Sequence, residues 1–209
     1  MWVTAAVGWH AAHALPPGAI DAGPGRASPL AAAAPDSADA LARRILARGD
    51  AGGLPFAIVD KQAATLQVYR ADGHLIGTTP ALLGQTPGDR SAPGVGERTE
   101  RGQLRSDDRT TPAGRFASEP GRNRAGEAVI WIDYASAFAI HRLRPGPSRE
   151  RRAQRLAAPN PAQRRISDGC VVVPVAFYQA VVEPVLGRSR GVVYVMAEDG
   201  PTAPPWAAL

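Results

Sequence analysis

Cysteine is nearly missing from this chain: 209 residues contain one, Cys170. A single thiol excludes an internal disulfide and confines any sulfur chemistry to one position. Lysine is equally scarce. Lys61 is the only one, so almost all the positive charge is arginine. There is also no long apolar run. The apolar stretch from Met1 to Leu15 is interrupted by His10 and His13 and is too short and too polar to span a membrane. Metal ligands are thin as well. His10-x-x-His13 has no further Cys, His or acidic residue nearby, so a metal pair is not expected.

What is present describes an ordinary globular protein. Apolar residues make up 44% and charged residues 21%, which gives no argument for disorder. The net charge of +5 favours anionic surroundings. Residues 1–35 are rich in Ala, Gly and Pro and read as a leader or linker, an export signal without a positive start, with Ala31 to Ala34 as a place for cleavage. Within residues 36–53, Asp36 to Gly49 is expected to be a short helix. Asp36 or Ser37 would cap it, Leu41, Ile45 and Leu46 would share a face, and Gly49 would end it. Apolar runs at Phe56 to Val59 and Leu66 to Tyr69 predict a hairpin, and His74 to Leu83 a third strand after an Asp72-Gly73 turn. Two more strands are expected at Ala128 to Tyr134 and Ala137 to Leu143, and a last one at Val192 to Met196. Many short strands and few helices predict a mainly β single domain over residues 54–200, followed by a tail, 201–209.

Three segments between these elements carry the chemical interest. Residues 84–109 form a long, charged, Gly/Pro-rich loop, of the kind that is usually functional. Asp107 and Asp108 within it are adjacent and are read as solvated charges or as a cap on the turn before Thr110. From Arg142 to Arg165 there are eight arginines against one acid, Glu150. Ser148 would cap a basic helix from Arg149 to Ala157. No Phe, Tyr or Trp is interleaved there, so the stacking partners of a single-strand nucleic-acid binder are missing and no nucleic acid is expected. A solvated lid is the better reading.

The third segment is Arg165-Ile166-Ser167-Asp168-Gly169-Cys170-Val171-Val172-Val173-Pro174. A lone cysteine among valines is usually a buried hydrophobe. It becomes a nucleophile only with a base and backbone donors nearby. His141, at the end of an apolar strand, is the candidate base, and the amides of Gly169 and Cys170 are candidate oxyanion donors. Pro174 suits a first helical position, with a helix from Val175 to Leu186 ending at Gly187 and shortened or kinked by Pro184. A helix start so near Cys170 would favour a thiolate.

Ser167-x-Gly169-Cys170, preceded by a strand-end histidine, resembles the signature of the L,D-transpeptidases (the YkuD-like catalytic domain). Thr110-Thr111-Pro112-Ala113-Gly114-Arg115-Phe116 is similar to that family's Thr-Pro-x-Gly-x-Phe segment. The run from Phe56 to Asp60 and on through Leu66 to Gly73 resembles its opening hairpin. The matches fall in the family's order and cover roughly residues 54–197. Asp168 stands where the family usually has a histidine, Val172 where it usually has Asn or Arg, and the interval from His141 to Ser167 is longer than usual.

The resemblance implies a β-sandwich-like fold and an exported or periplasmic enzyme without a cofactor. Cys170 would attack a carbonyl of a peptidoglycan stem tetrapeptide, with His141 as base and a backbone carbonyl orienting the imidazole. Gly169, Asp168 and Ser167 would shape the oxyanion site or pocket, and Arg142 and Trp131 would contact substrate. The thioester would pass to an amine to make a cross-link. Hydrolysis of the same bond, and a non-catalytic wall-binding module, remain open as alternatives.

Overall fold

The computed structural model describes residues 37–198, and the leader, the tail, His10, His13 and Trp206 lie outside them. Helix α1 (Ala38–Arg48) begins where Ser37 Oγ accepts the amide of Ala40 at 3.2 Å. It stops at Gly49, whose φ of 63° is the left-handed conformation that closes a helix without a Cβ penalty. Leu41 and Ile45 are buried, each contributing about 1.5–3 kcal/mol of apolar transfer. Leu46 departs from the expectation that it shares their face: it is 43% exposed and lies over Gly73, which leaves room for it.

Apolar alternation then builds one continuous sheet. Its strands are β1 (Phe56–Asp60), β2 (Thr65–Tyr69), β3 (Leu75–Pro80), β5 (Gly114–Arg122), β6 (Ala128–Asp133), β7 (Phe138–Arg142), β9 (Val171–Val173) and β10 (Gly191–Val195). The order across the sheet is β3-β2-β1-β10-β5-β6-β7-β9. A short pair of β4 (Leu83–Gly84) with β8 (Arg165–Ser167) lies beside it. The first half of β5 pairs with β10 and the second half with β6, so this one strand joins the two halves of the sheet.

The expected third strand splits after Pro80. Leu82 leaves β3 to make an antiparallel bridge with Val172, trading backbone hydrogen bonds of 2.8 and 2.9 Å. The two ends of the sheet are thereby brought together, and the sheet curls almost closed around its core. The fold is mainly β with a few helices, as the sequence implied.

Inside the curl, Leu66, Val68, Ile130, Ile140, Val171 and Val173 pack with Tyr178 and Leu186. The last two come from a helical segment composed of α4 (Val175–Phe177), a π-helical turn (Tyr178–Val182) and α5 (Glu183–Leu186). Pro184 does not break it, because it stands in the first turn of α5, directly after the π turn, where a proline is tolerated. On the other side of β1 and β10, α1 covers Phe56, Ile58, Tyr69 and Tyr194. The Phe56 and Tyr69 rings stack there at 4.6 Å.

The loop at 84–109 is not structureless. It contains α2 (Val95–Glu100) and a 3-10 turn (Ser106–Asp108). The expected basic helix is also different. It is divided into a 3-10 turn (Ser148–Glu150) and α3 (Arg152–Leu156) by Arg151, whose φ of 46° no α-helix tolerates. Leu156 anchors α3 by packing on Leu82 and Val172.

Candidate active site

β7 and β9 are parallel neighbours, with Ile140 opposite Val171 and His141 opposite Val172. Ile140, Val171 and Val173 face the main core, so His141 and Val172 face the other way. Cys170 immediately precedes β9 and lies against the start of β7, where its thiol donates to Ala137 O at 3.4 Å. The topology therefore places His141 on β7 and the only thiol just ahead of β9, the strand beside it.

His141 is buried, with 9% exposure. Its Nδ1 lies 2.8 Å from the carbonyl of Arg142. A carbonyl only accepts, so Nδ1 carries the proton and Nε2 keeps its lone pair. Burial, and then the charge of Arg144, push the imidazole pKa down to about 4. Burial pushes the Cys170 thiol up. An Ala139 backbone hydrogen bond and Arg144 oppose this, while Asp168 adds to it. At neutral pH the two groups are thus a neutral thiol and a neutral imidazole.

The expected help from a helix start is not available to Cys170. All of β9 stands between it and α4, which begins at Val175, and a helix dipole acts only over about its first turn. The Gly169 amide is not the free oxyanion donor the sequence suggested, because it donates to Ser167 Oγ at 3.2 Å. Ser167 Oγ in turn donates to Cys170 O at 2.6 Å, so this hydroxyl clamps the turn that presents the thiol.

Gly169 has a φ of 120°, and a Cβ there would lie 2.9 Å from Thr110 O. Thr111, fully buried, donates from Oγ1 to Gly169 O at 2.7 Å and accepts the Gly84 amide at 2.8 Å. The Thr110-Thr111 segment is therefore the bed on which the cysteine turn rests.

Asp168 is half-exposed and pairs with Arg109 at 2.9 Å. Arg142 pairs with Glu127 at 3.2 Å, and Arg164 and Arg165 bond to backbone carbonyls elsewhere. Trp131 lies over Gly121 with its ring against Tyr134 at 4.9 Å. Neither Trp131 nor Arg142 lines the space in front of the thiol. Of the two readings of Asp108, the solvated charge fails, because it is buried at 3% exposure, and the cap holds, because it closes the 3-10 turn before Thr110. It accepts from Arg98 Nε and from the Arg105 amide, both at 2.8 Å, and these bonds hold its carboxyl down to about 2.

The cavity at Cys170 is only about 40 Å³, and Val95, Thr99, Asp108, Thr110 and Asp168 are among its walls. That is too small for a peptide, and Val95 and Thr99 of α2 form part of its cover. Sequence reasoning missed α2, Arg109 and Arg144, the last of which bears electrostatically on both Cys170 and His141. Only the length of the loop and the density of arginines hinted at them. Among the described residues no group of three His, Cys, Asp or Glu is placed to hold a metal ion. None of the helices there is long and apolar enough to cross a membrane.

No family model and no curated protein matches the chain. Solved structures do. They include an L,D-transpeptidase from Mycobacterium smegmatis, at 15% identity over 68% of this chain and 58% of that one, with a TM-score of 0.40. The catalytic domain of an E. faecium L,D-transpeptidase matches at 18% over 68% and 95%, with a TM-score of 0.38. The helical cell shape determining protein Pgp2 from Campylobacter jejuni matches at 15% over 69% and 47%, with a TM-score of 0.41. The chain spans 58% of the length of the first two such enzymes it matches. A likeness at these values carries no functional argument, so the case for any reaction rests on the chain's own residues.

Proposed function

We propose that residues 54–200 form a cysteine acyltransferase acting on peptidoglycan stem tetrapeptides, that is, an L,D-transpeptidase working outside the cytoplasm. One observation carries the reading. The only thiol stands just ahead of β9, a buried histidine sits on the neighbouring strand β7, and the histidine's Nδ1 is held by a backbone carbonyl, so that Nε2 is the basic nitrogen. A thiol–imidazole pair presented at a glycine turn is the arrangement that nucleophilic acyl transfer needs.

His141 Nε2 takes the Cys170 proton as the sulfur attacks the peptide carbonyl. Both groups start neutral, so the proton moves during the attack rather than beforehand. The tetrahedral oxyanion is stabilised by the Cys170 amide, the donor left once Gly169 is engaged by Ser167. A C–S bond has formed. The C–N bond then breaks, and His141 returns the proton to the departing D-alanine amine. An amine of a second stem attacks the thioester, releases the thiol and forms the cross-link; water in its place gives hydrolysis. No step calls for a cofactor.

Intact-protein mass spectrometry with a synthetic stem tetrapeptide tests the proposal. The wild type should gain the mass of the tetrapeptide less its terminal D-alanine, and Cys170→Ser and His141→Ala should gain none. Acylation of either variant at the wild-type rate contradicts the assignment.

A further inference from the structure

A larger cavity lies beyond His141. After β7 the chain turns through Leu143 to Pro147, and with the segment from Ser148 to Gln154 it lines an open cavity of about 380 Å³. The lining contains three arginines, Arg144, Arg151 and Arg152, and no acid. Arg144 meets Glu127 at 2.6 Å and Arg152 meets Glu150 at 2.5 Å, both from outside the lining. Arg151 is exposed and sits at the left-handed break between the 3-10 turn and α3. Leu143, one of its walls, packs with Val172, the residue opposite His141, so the cavity lies on the same side of β7 as the imidazole.

We propose that this cavity receives the C-terminal carboxylate of the amino acid that leaves the peptide substrate, held by the guanidinium groups of Arg144, Arg151 and Arg152. The assignment rests on the acyl-transfer reading of Cys170 and His141. His141 returns a proton to the leaving amine, so that amine must stand at the imidazole. The carboxylate of the leaving amino acid is two bonds from its nitrogen. Along β7, the chain passes from Ala139 beside the thiol, through His141, to Leu143 and Arg144 at the cavity mouth. The leaving residue therefore carries its carboxylate toward the arginines. Planar guanidinium groups match a carboxylate bidentately, which suits a chain that has arginine almost everywhere it has positive charge. A carboxylate seated there would also counter the positive field that Arg144 and Arg152 place on His141.

The test separates the cavity from the chemistry. N-acetyl-D-alanine, its carboxamide and acetate are titrated by calorimetry into the wild-type protein, Cys170→Ala, Arg151→Ala and Arg152→Gln. The acid should bind wild type and Cys170→Ala at least tenfold more tightly than the amide or acetate. That preference should fall below threefold in Arg151→Ala, whose altered side chain is exposed and whose thermal melt should match the wild type. Equal binding of acid and amide overturns the assignment, and binding of acetate as tight as that of the acid reduces the cavity to an unspecific anion site. Acyl-enzyme formation from the tetrapeptide acid and its amide is followed alongside. A tenfold preference for binding the acid without any acylation of Cys170 leaves a carboxylate site but overturns the acyl-transfer reading. Acylation at equal rates from both peptides overturns the inference and leaves that reading standing.

Discussion

Holding His141 neutral inside the protein makes stability fall as the pH falls, by an amount that follows from its pKa. The imidazole stands at about 4, against 6.5 for an ordinary histidine, because it is buried and because Arg144 and Arg152 are near. The pKa in the folded state is thus the lower one. Between these two values the unfolded chain binds a proton that the folded chain refuses, so the full stabilisation is present above pH 6.5 and declines toward pH 4. Linkage puts the loss at about 2 kcal/mol at pH 5 and about 3 kcal/mol at pH 4. Glu127 and the Arg142 carbonyl oppose the shift, and both contributions are already included in it. Urea unfolding at pH 7.5, 6, 5 and 4 measures the effect in the wild type and in His141→Gln. The variant is less stable at pH 7.5 but lacks this titration, so the gap between the two should narrow by about 2 kcal/mol by pH 5. Carboxylates titrate alike in both proteins and drop out of the difference. If the two curves run parallel from pH 7.5 to 5, His141 is not held neutral and the reasoning about its environment fails.

Other expectations rest on the same geometry. Gly169→Ala should cost about 1–3 kcal/mol of stability by urea unfolding, because it forces a side chain into positive φ and against Thr110 O; a cost below 0.5 kcal/mol, on the order of an ordinary surface change, contradicts the tight turn. Arg98→Ala should speed alkylation of Cys170 by iodoacetamide several-fold, because it cuts α2 loose from Asp108 and opens the cover over the thiol; an unchanged rate means α2 is not the cover. Asp168→Asn should lower the thiol pKa and quicken alkylation near neutral pH, but only modestly, because Asp168 is half-exposed and already shared with Arg109. A slower reaction would show Asp168 acting through something other than its charge.

The parts of the fold that were legible are those in which local pattern and tertiary role agree. Ser37, the Leu41–Ile45 face and Gly49 specify α1 by local chemistry alone. The runs at β1, β2, β6, β7 and β10 are apolar because both of their faces, or one of them, are buried. β5 escaped notice because Arg115, Ser118, Glu119, Pro120 and Gly121 mask a strand whose place is secured by β10 and β6. Cys170 and His141 stood out through residue type, since each is a scarce residue next to a strand. Their partners did not, because nothing local joins Arg109 to Asp168, Thr111 to Gly169 or Arg98 to Asp108. The site's cover was hidden for the same reason: Val95 meets the thiol pocket only after a charged loop has folded into α2.

Incubation of purified muropeptides with the protein, followed by mass spectrometry, tests the central claim most directly. With the wild type, tetrapeptide stems should lose D-alanine, and dimers cross-linked through the shortened stem should appear; with Cys170→Ala neither change should occur. An unaltered muropeptide profile with the folded wild-type protein, or the same products from Cys170→Ala, would contradict it.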